Sequence, residues 1–150
     1  MPFDIGSIVV LKKIIFKKTH MRDKRTIDHA YKTGRPAIVI CEANDKIYHI
    51  LLTHSCYEDE YKDGRYYPIV DSKTNEGENG FIDFSEIHSR PICYERECEY
   101  IADEDLHDIL VAFCTYQESV FEDDEYEEIR PYLYSLIKDL EKNKELCLKK

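Results

Sequence analysis

The run Gly34-Arg35-Pro36-Ala37-Ile38-Val39-Ile40, followed by Asn44-Asp45 and then Lys46-Ile47-Tyr48-His49-Ile50-Leu51-Leu52-Thr53, constrains this chain more than any other stretch. Pro36 holds Arg35 extended, and a strand tolerates proline at its start, where the missing donor costs least. Ala37 to Cys41 then reads as an inner strand, Asn44-Asp45 as a turn, and Lys46 to Leu52 as a return strand ending at Thr53. A hairpin brings its open ends together. Arg35, whose charge is permanent, is thereby placed beside Thr53, His54 and Ser55, all of which hydrogen-bond. Alternation along the strand puts Ser55, and not His54, on the side of Thr53. Such a set suits phosphodiester chemistry, in which fixed donors meet charge on the non-bridging oxygens while a proton moves between the ribose 2'-hydroxyl and the leaving oxygen. That chemistry requires no metal.

The remaining pattern predicts a mainly β chain with C-terminal helices, an α+β class. Ser7 to Lys17 reads as a strand kinked near Lys12-Lys13, and the polar stretch up to Gly34 as a long loop. Tyr66 to Val70 and Phe81 to Phe84 read as further strands, with residues 75–80 as a surface loop and His88-Ser89-Arg90-Pro91 as a strand exit. Five or six short strands with this punctuation suit a small barrel closed by a helix. That helix is expected over Glu104 to Gln117, capped by Asp103, with Leu106, Ile109, Leu110 and Phe113 on one stripe. An additional helix is expected from Pro131, with Leu133, Leu136, Ile137 and Leu140 facing inward, after an acidic link over Glu122 to Glu128 and before a frayed tail from Lys142.

Charge is distributed unevenly along the 150 residues. The total is -10, yet residues 1–40 hold nine Lys and Arg against three Asp, a balance of +6. Glu95 to Glu128 contains fourteen acids against Arg96 alone, so a polyanion can approach only one side of the molecule. The six cysteines are scattered through predicted strands and helices, which predicts free thiols and no disulfide framework. Cys93, Cys98, His88 and His107 lack the paired short spacing of a structural zinc site, so neither metal nor cofactor is expected. No apolar run approaches the length of a membrane span, and the first residues lack a secretory pattern; the expected location is the cytoplasm, with no membrane partner.

Four motifs occur in order: Asp4-Ile5-Gly6-Ser7-Ile8-Val9-Val10-Leu11, then Arg35-Pro36-Ala37-Ile38-Val39-Ile40, Leu52-Thr53-His54-Ser55, and Gly80-Phe81-Ile82-Asp83-Phe84-Ser85-Glu86-Ile87-His88-Ser89. Over roughly residues 5 to 118 this order resembles the MazF/PemK toxin ribonucleases, which are related in fold to CcdB and to the ToxN-like RNases. Ser7 stands where that family usually has Asp, the segment Lys12 to Gly34 is longer than in compact members, and Glu118 to Lys150 extends past the usual end.

The resemblance implies a small SH3-like, PemK-type barrel with its closing helix in residues 1–118, and an acidic link plus helical extension of the same domain in 119–150; because its motifs all end earlier, removing Glu118 to Lys150 is expected to leave the barrel folded. It implies a toxin of a toxin-antitoxin system: a metal-independent endoribonuclease that cuts single-stranded RNA to 2',3'-cyclic phosphate and 5'-hydroxyl ends. Arg35 and Thr53 would be catalytic, supported by Ser55. Lys17, Lys18, His20, Arg22, Lys24, Arg25, His29 and Lys32 in the basic segment, with His54, would bind substrate. A twofold homodimer is implied, with Phe113 and Cys114 near its contact. The cognate antitoxin would be a protein with an acidic segment, in preference to the structured RNA that neutralises ToxN-like enzymes. The alternative, motivated by the acidic band, is a non-catalytic binding or regulatory module on the same barrel.

Overall fold

Strand alternation sorts the apolar side chains of the hairpin onto two faces, and each face acquires its own core. In the computed structural model, which describes residues 5–17, 24–53, 64–70, 79–91, 97–100, 103–120 and 123–148, β2 (Arg35–Ala43) and β3 (Lys46–Thr53) pair antiparallel around a tight turn. Asn44 and Asp45 both take left-handed backbone (φ 55° and 61°), the pair of conformations a two-residue hairpin turn demands. With β1 (Ser7–Leu11), β4 (Tyr66–Val70), β5 (Asn79–Pro91) and β6 (Glu97–Tyr100) they form one antiparallel sheet in the order β4-β5-β3-β2-β1-β6. Among the described residues β4 and β6 are its two edges, so the sheet is open. The α+β class expected from the sequence is what the chain adopts.

One face carries Ile38, Ile40, Tyr48, Ile50, Ile82, Phe84 and Ile87, and packs on α2 (Asp103–Val120) and α3 (Glu125–Leu148). Leu106, Ile109, Leu110 and Phe113 of α2 are buried there at the helical spacing that predicted them. The other face carries Val9, Leu11, Ala37, Val39, Ile47 and Leu51, covered by Ile14, Phe16 and the Ala30 side of α1 (Lys24–Thr33).

Several expectations need correction. The strand expected over Ser7 to Lys17 ends at Leu11, and the stretch up to Gly34 is not all loop: α1 forms in it because Ile27 and Ala30 fall three residues apart and pack against the sheet. The last helix begins at Glu125, and Pro131 lies inside it. An internal proline costs about 3 kcal/mol; here it sits on the exposed side while Tyr126, Ile129 and Leu133 are buried on either side of it and hold the helix together. The helix continues to Leu148, past the expected fraying at Lys142. Finally, residues 119–150 are no detachable extension, since Tyr126, Ile129, Leu133 and Leu140 belong to the larger core. Phe113 and Cys114, expected near a subunit contact, are likewise interior.

Gly34 fixes how α1 enters β2. It ends the helix with φ +83°, its N–H donates to the Ala30 carbonyl at 2.9 Å, and a Cβ there would stand 2.5 Å from the Leu11 carbonyl oxygen. No L side chain fits that approach. Arg35 follows immediately. Among the described residues no helix is long and apolar enough to cross a membrane.

Candidate functional site

A row of residues crosses the open end of the sheet on the α1 side. Leu11 of β1 pairs with Arg35 of β2; on β5, Phe81 pairs with Thr53 of β3 and with Pro68 of β4. The β2–β3 register, with Ala37 opposite Leu51, runs toward Arg35 and Thr53, which end up on neighbouring strands. Alternation gives them a shared face: Arg35 is in step with Ala37 and Val39, Thr53 with Leu51, all on the face of the smaller core. Both are half-buried. The Arg35 guanidinium carbon lies 5.6 Å from the centroid of the Phe16 ring, a stacking arrangement that orients the cation.

A second arginine, which the sequence did not single out, stands just before β4, further along the sheet from that row. Arg65 is only 3% exposed, its guanidinium 4.9 Å from the Tyr66 ring centroid and paired with Asp83 through Nε to Oδ1 at 3.3 Å. Asp83 Oδ1 also accepts from the Ser85 backbone N–H at 2.9 Å and hydroxyl at 2.6 Å. Those contacts exist because β5 bulges: Ile50 opposes Ile87 while Leu51 opposes Asp83, so residues 84–86 have no counterpart on β3. Bulges re-aim side chains in this way. The signal available in the sequence was Asp83 interrupting an apolar strand, with Gly64 (φ +84°) marking a turn just before Arg65.

The same bulge carries a buried polar bridge to the other side of the molecule. Glu86, 1% exposed, accepts from the Lys17 backbone N–H, and its Oε1 lies 3.4 Å from His88 Nε2. The His88 ring meets Phe16 edge-on at 6.3 Å. Asp123, just before α3, accepts from the Ile87 N–H at 2.9 Å and from Lys17 Nζ at 2.8 Å, while Gln117 donates to the Phe84 carbonyl at 2.6 Å. Thus the chain Arg35, Phe16, His88, Glu86 runs from the half-exposed row into a fixed interior. The neighbouring His49 donates from Nδ1 to the His88 carbonyl at 3.0 Å. Burial pushes its pKa down to about 4, and the Arg90 and His88 charges act in the same direction against the backbone hydrogen bond. It is neutral at pH 7. Burial pushes the Cys41 thiol up to about 11 and also raises Cys114, so both are protonated, inert thiols.

The other expected site residues divide into three groups. Lys24, Arg25, His29 and Lys32 lie on α1 and are exposed, on the helix that covers the Arg35 face. Lys17 turns to Asp123 and Glu125, so its ammonium is held by the acidic end of α3. Ser55, His54, Lys18, His20 and Arg22 lie outside the described residues, as does Cys93. Among the described residues no group of three His, Cys, Asp or Glu side chains could hold a metal ion. The arrangement that remains offers one permanent cation, Arg35, and the Thr53 hydroxyl on a half-exposed sheet end, with exposed basic residues on α1 nearby, and so suits binding of a phosphate-bearing ligand. No protein-family model matches the chain, and no curated protein matches it significantly.

Proposed function

We propose that the chain is a MazF/PemK-like endoribonuclease toxin, working in the cytoplasm as a twofold dimer and held in check by a protein antitoxin. What carries this reading is the placement of Arg35 and Thr53 at one end of adjacent strands, on one face. In the proposed reaction the ribose 2'-oxygen attacks the adjacent phosphorus, the bond from phosphorus to the 5'-oxygen breaks, and a proton passes from the 2'-hydroxyl to the leaving oxygen. Arg35 stabilises the charge on the pentacoordinate phosphorus, and Thr53 orients the scissile phosphate, with Ser55 in support. Lys24, Arg25, His29 and Lys32 attract the phosphate backbone. The fold is read as an open variant of the SH3-like barrel; register shifts in the pairings of β1 with β6, β2 with β3 and β3 with β5 are the device by which sheets curl toward closure.

The alternative, a non-catalytic binding or regulatory module on the same fold, draws on one observation: His49 and His88, the described histidines on the strands of this face, are buried. Incubation of the chain with single-stranded RNA in EDTA separates the readings. Cleavage to cyclic phosphate ends that is lost in Arg35→Ala, and reduced about tenfold to a thousandfold in Thr53→Ala, is the expected outcome. Cleavage by folded Arg35→Ala at the wild-type rate would falsify the assignment.

A further inference from the structure

Among the described side chains of the sheet, two large aromatic rings belong to neither apolar core. Tyr66 and Phe81 are half-buried, meet edge-to-face with centroids 6.4 Å apart, and stand outside both the α2–α3 core and the α1 core. Their neighbours one residue along, Tyr67 and Ile82, point the other way and pack into the larger core. Register fixes the position of the pair. Phe81 is the cross-strand partner of Thr53, and Tyr66 is the partner of Asp83.

We propose that Tyr66 and Phe81 form a stacking platform for the unpaired nucleobase of the nucleotide whose phosphate sits at Arg35 and Thr53. The proposal rests on the RNA-directed reading above and adds to it the place where a base is held. Two strand spacings, roughly 10 Å, separate Arg35 on β2 from Phe81 on β5, a span one nucleotide covers from its phosphate to the far side of its base. Arg65 makes the platform rigid. Its guanidinium lies against Tyr66 and is locked by Asp83, which Ser85 in turn fixes through two hydrogen bonds. Burying such an ion pair gives little net stability compared with apolar residues of the same size. What it provides is a ring already in position, so that a base stacks without first ordering it. Every base has a π-face, so the platform takes purines and pyrimidines alike and discriminates against ligands that have phosphates but no bases.

The chain contains no tryptophan, so Phe81→Trp in the full-length protein introduces a single indole reporter. A mixed-sequence single-stranded RNA decamer is expected to quench its emission saturably, and an abasic ribose-phosphate decamer of equal length is not. Phe81→Ala and Tyr66→Ala should each weaken decamer binding about tenfold, leave the slope of log K against log salt unchanged because no phosphate contact is lost, and have no effect on the abasic strand. Phe81→Tyr should bind as wild type does, and Phe81→Leu, which keeps an apolar side chain of similar bulk, should bind as weakly as Phe81→Ala. The two leucine and tryptophan variants decide the matter if an alanine variant fails to fold. Equal quenching by the abasic strand, or wild-type affinity in folded Phe81→Leu, overturns the platform while leaving the RNA reading intact provided binding still depends on Arg35. Absence of any RNA binding by the wild-type protein overturns both.

Discussion

The two faces of one sheet are built on different terms. Toward α2 and α3, twenty-one of the described residues are buried in a core that includes the ring contacts Phe84–Phe113 at 5.5 Å and Phe113–Tyr126 at 5.9 Å. α2, which covers it, has five acidic residues and neither Lys nor Arg. Toward α1 the core has nine members among the described residues, and polar groups are buried or half-buried around it: Arg35, Arg65, Asp83, His49 and His88. Apolar burial at about 25 cal/mol per Å² makes the first face the source of stability. Burying charge costs free energy unless it is paired, so the second face retains groups that folding alone would not require. The faces therefore teach which half of the molecule to perturb for stability and which for chemistry.

Removing residues 119–150 is the strongest way to break that comparison. It takes Tyr126, Ile129, Leu133 and Leu140 out of the larger core. At about 2–5 kcal/mol for each large buried side chain the loss, about 8–20 kcal/mol, equals or exceeds the usual stability of a domain. Circular dichroism of the truncated chain should show no cooperative thermal transition. A sharp transition near the full-length midpoint would mean that α3 contributes little and that the faces are more alike than their cores suggest.

On the polar face the largest single effect is expected from Asp83→Ala, which leaves the Arg65 guanidinium buried without its carboxylate and should cost about 3–5 kcal/mol. Replacing both, as Arg65→Met with Asp83→Leu, should recover most of that loss, because the pair itself is nearly neutral for stability. Urea midpoints for the single and double variants test this. A single variant within about 1 kcal/mol of wild type would show that solvent reaches Arg65 and that the pair is not a buried fixture.

How much of this the sequence disclosed depended on whether the signal was local. The β2–β3 hairpin was legible because Pro36, Asn44-Asp45 and the β-branched runs are neighbours in the chain, and the α2 stripe because its period is internal to one helix. Arg35 and Thr53 came with the hairpin. By contrast α1 is short and strongly charged, so its Ile27 and Ala30 face has meaning only once a sheet lies beneath it. The Arg65–Asp83 pair and the bridge from Lys17 to Asp123 link residues 18 and 106 apart, joined by a bulge that no periodicity announces. Pro131 misled for a related reason: its rule concerns the isolated helix, and burial on either side overrode it.

Acid separates the faces by sign. His49 on the polar face has its folded pKa lowered to about 4 by burial, whereas the unfolded imidazole titrates near 6.5. Between those values the unfolded chain binds the extra proton, so stability is intact above pH 6.5 and falls as pH drops toward 4, by about 3 kcal/mol at most. Urea midpoints measured across this window should decline, and His49→Asn should remove that part of the slope. An unchanged slope in His49→Asn would assign the acid sensitivity to carboxylates instead.

The smallest effect comes from the helical face and runs the opposite way. His107 on α2 donates from Nε2 to Glu141 Oε1 of α3 at 3.0 Å, and its Nδ1 lies 3.2 Å from Asp108 Oδ1. The Glu141 hydrogen bond, then that of Asp108, raise its pKa above the ordinary histidine value, so the folded state binds the proton more tightly than the unfolded one. Its contribution is fully present below the unfolded pKa and is lost as pH rises through the folded value. Glu141 is 54% exposed at its side chain, which places the pair among surface ion pairs worth below about 1 kcal/mol. The contribution should therefore be hidden beneath that of His49 and emerge in the His49→Asn background, where adding His107→Gln abolishes a shallow gain in stability as pH falls through the raised folded pKa toward about 6.5. Because the pair is exposed, about 1 M salt should also suppress that gain by screening. A gain that survives both His107→Gln and high salt would place its source away from the α2–α3 contact, and the opposition of signs between the two faces would no longer hold.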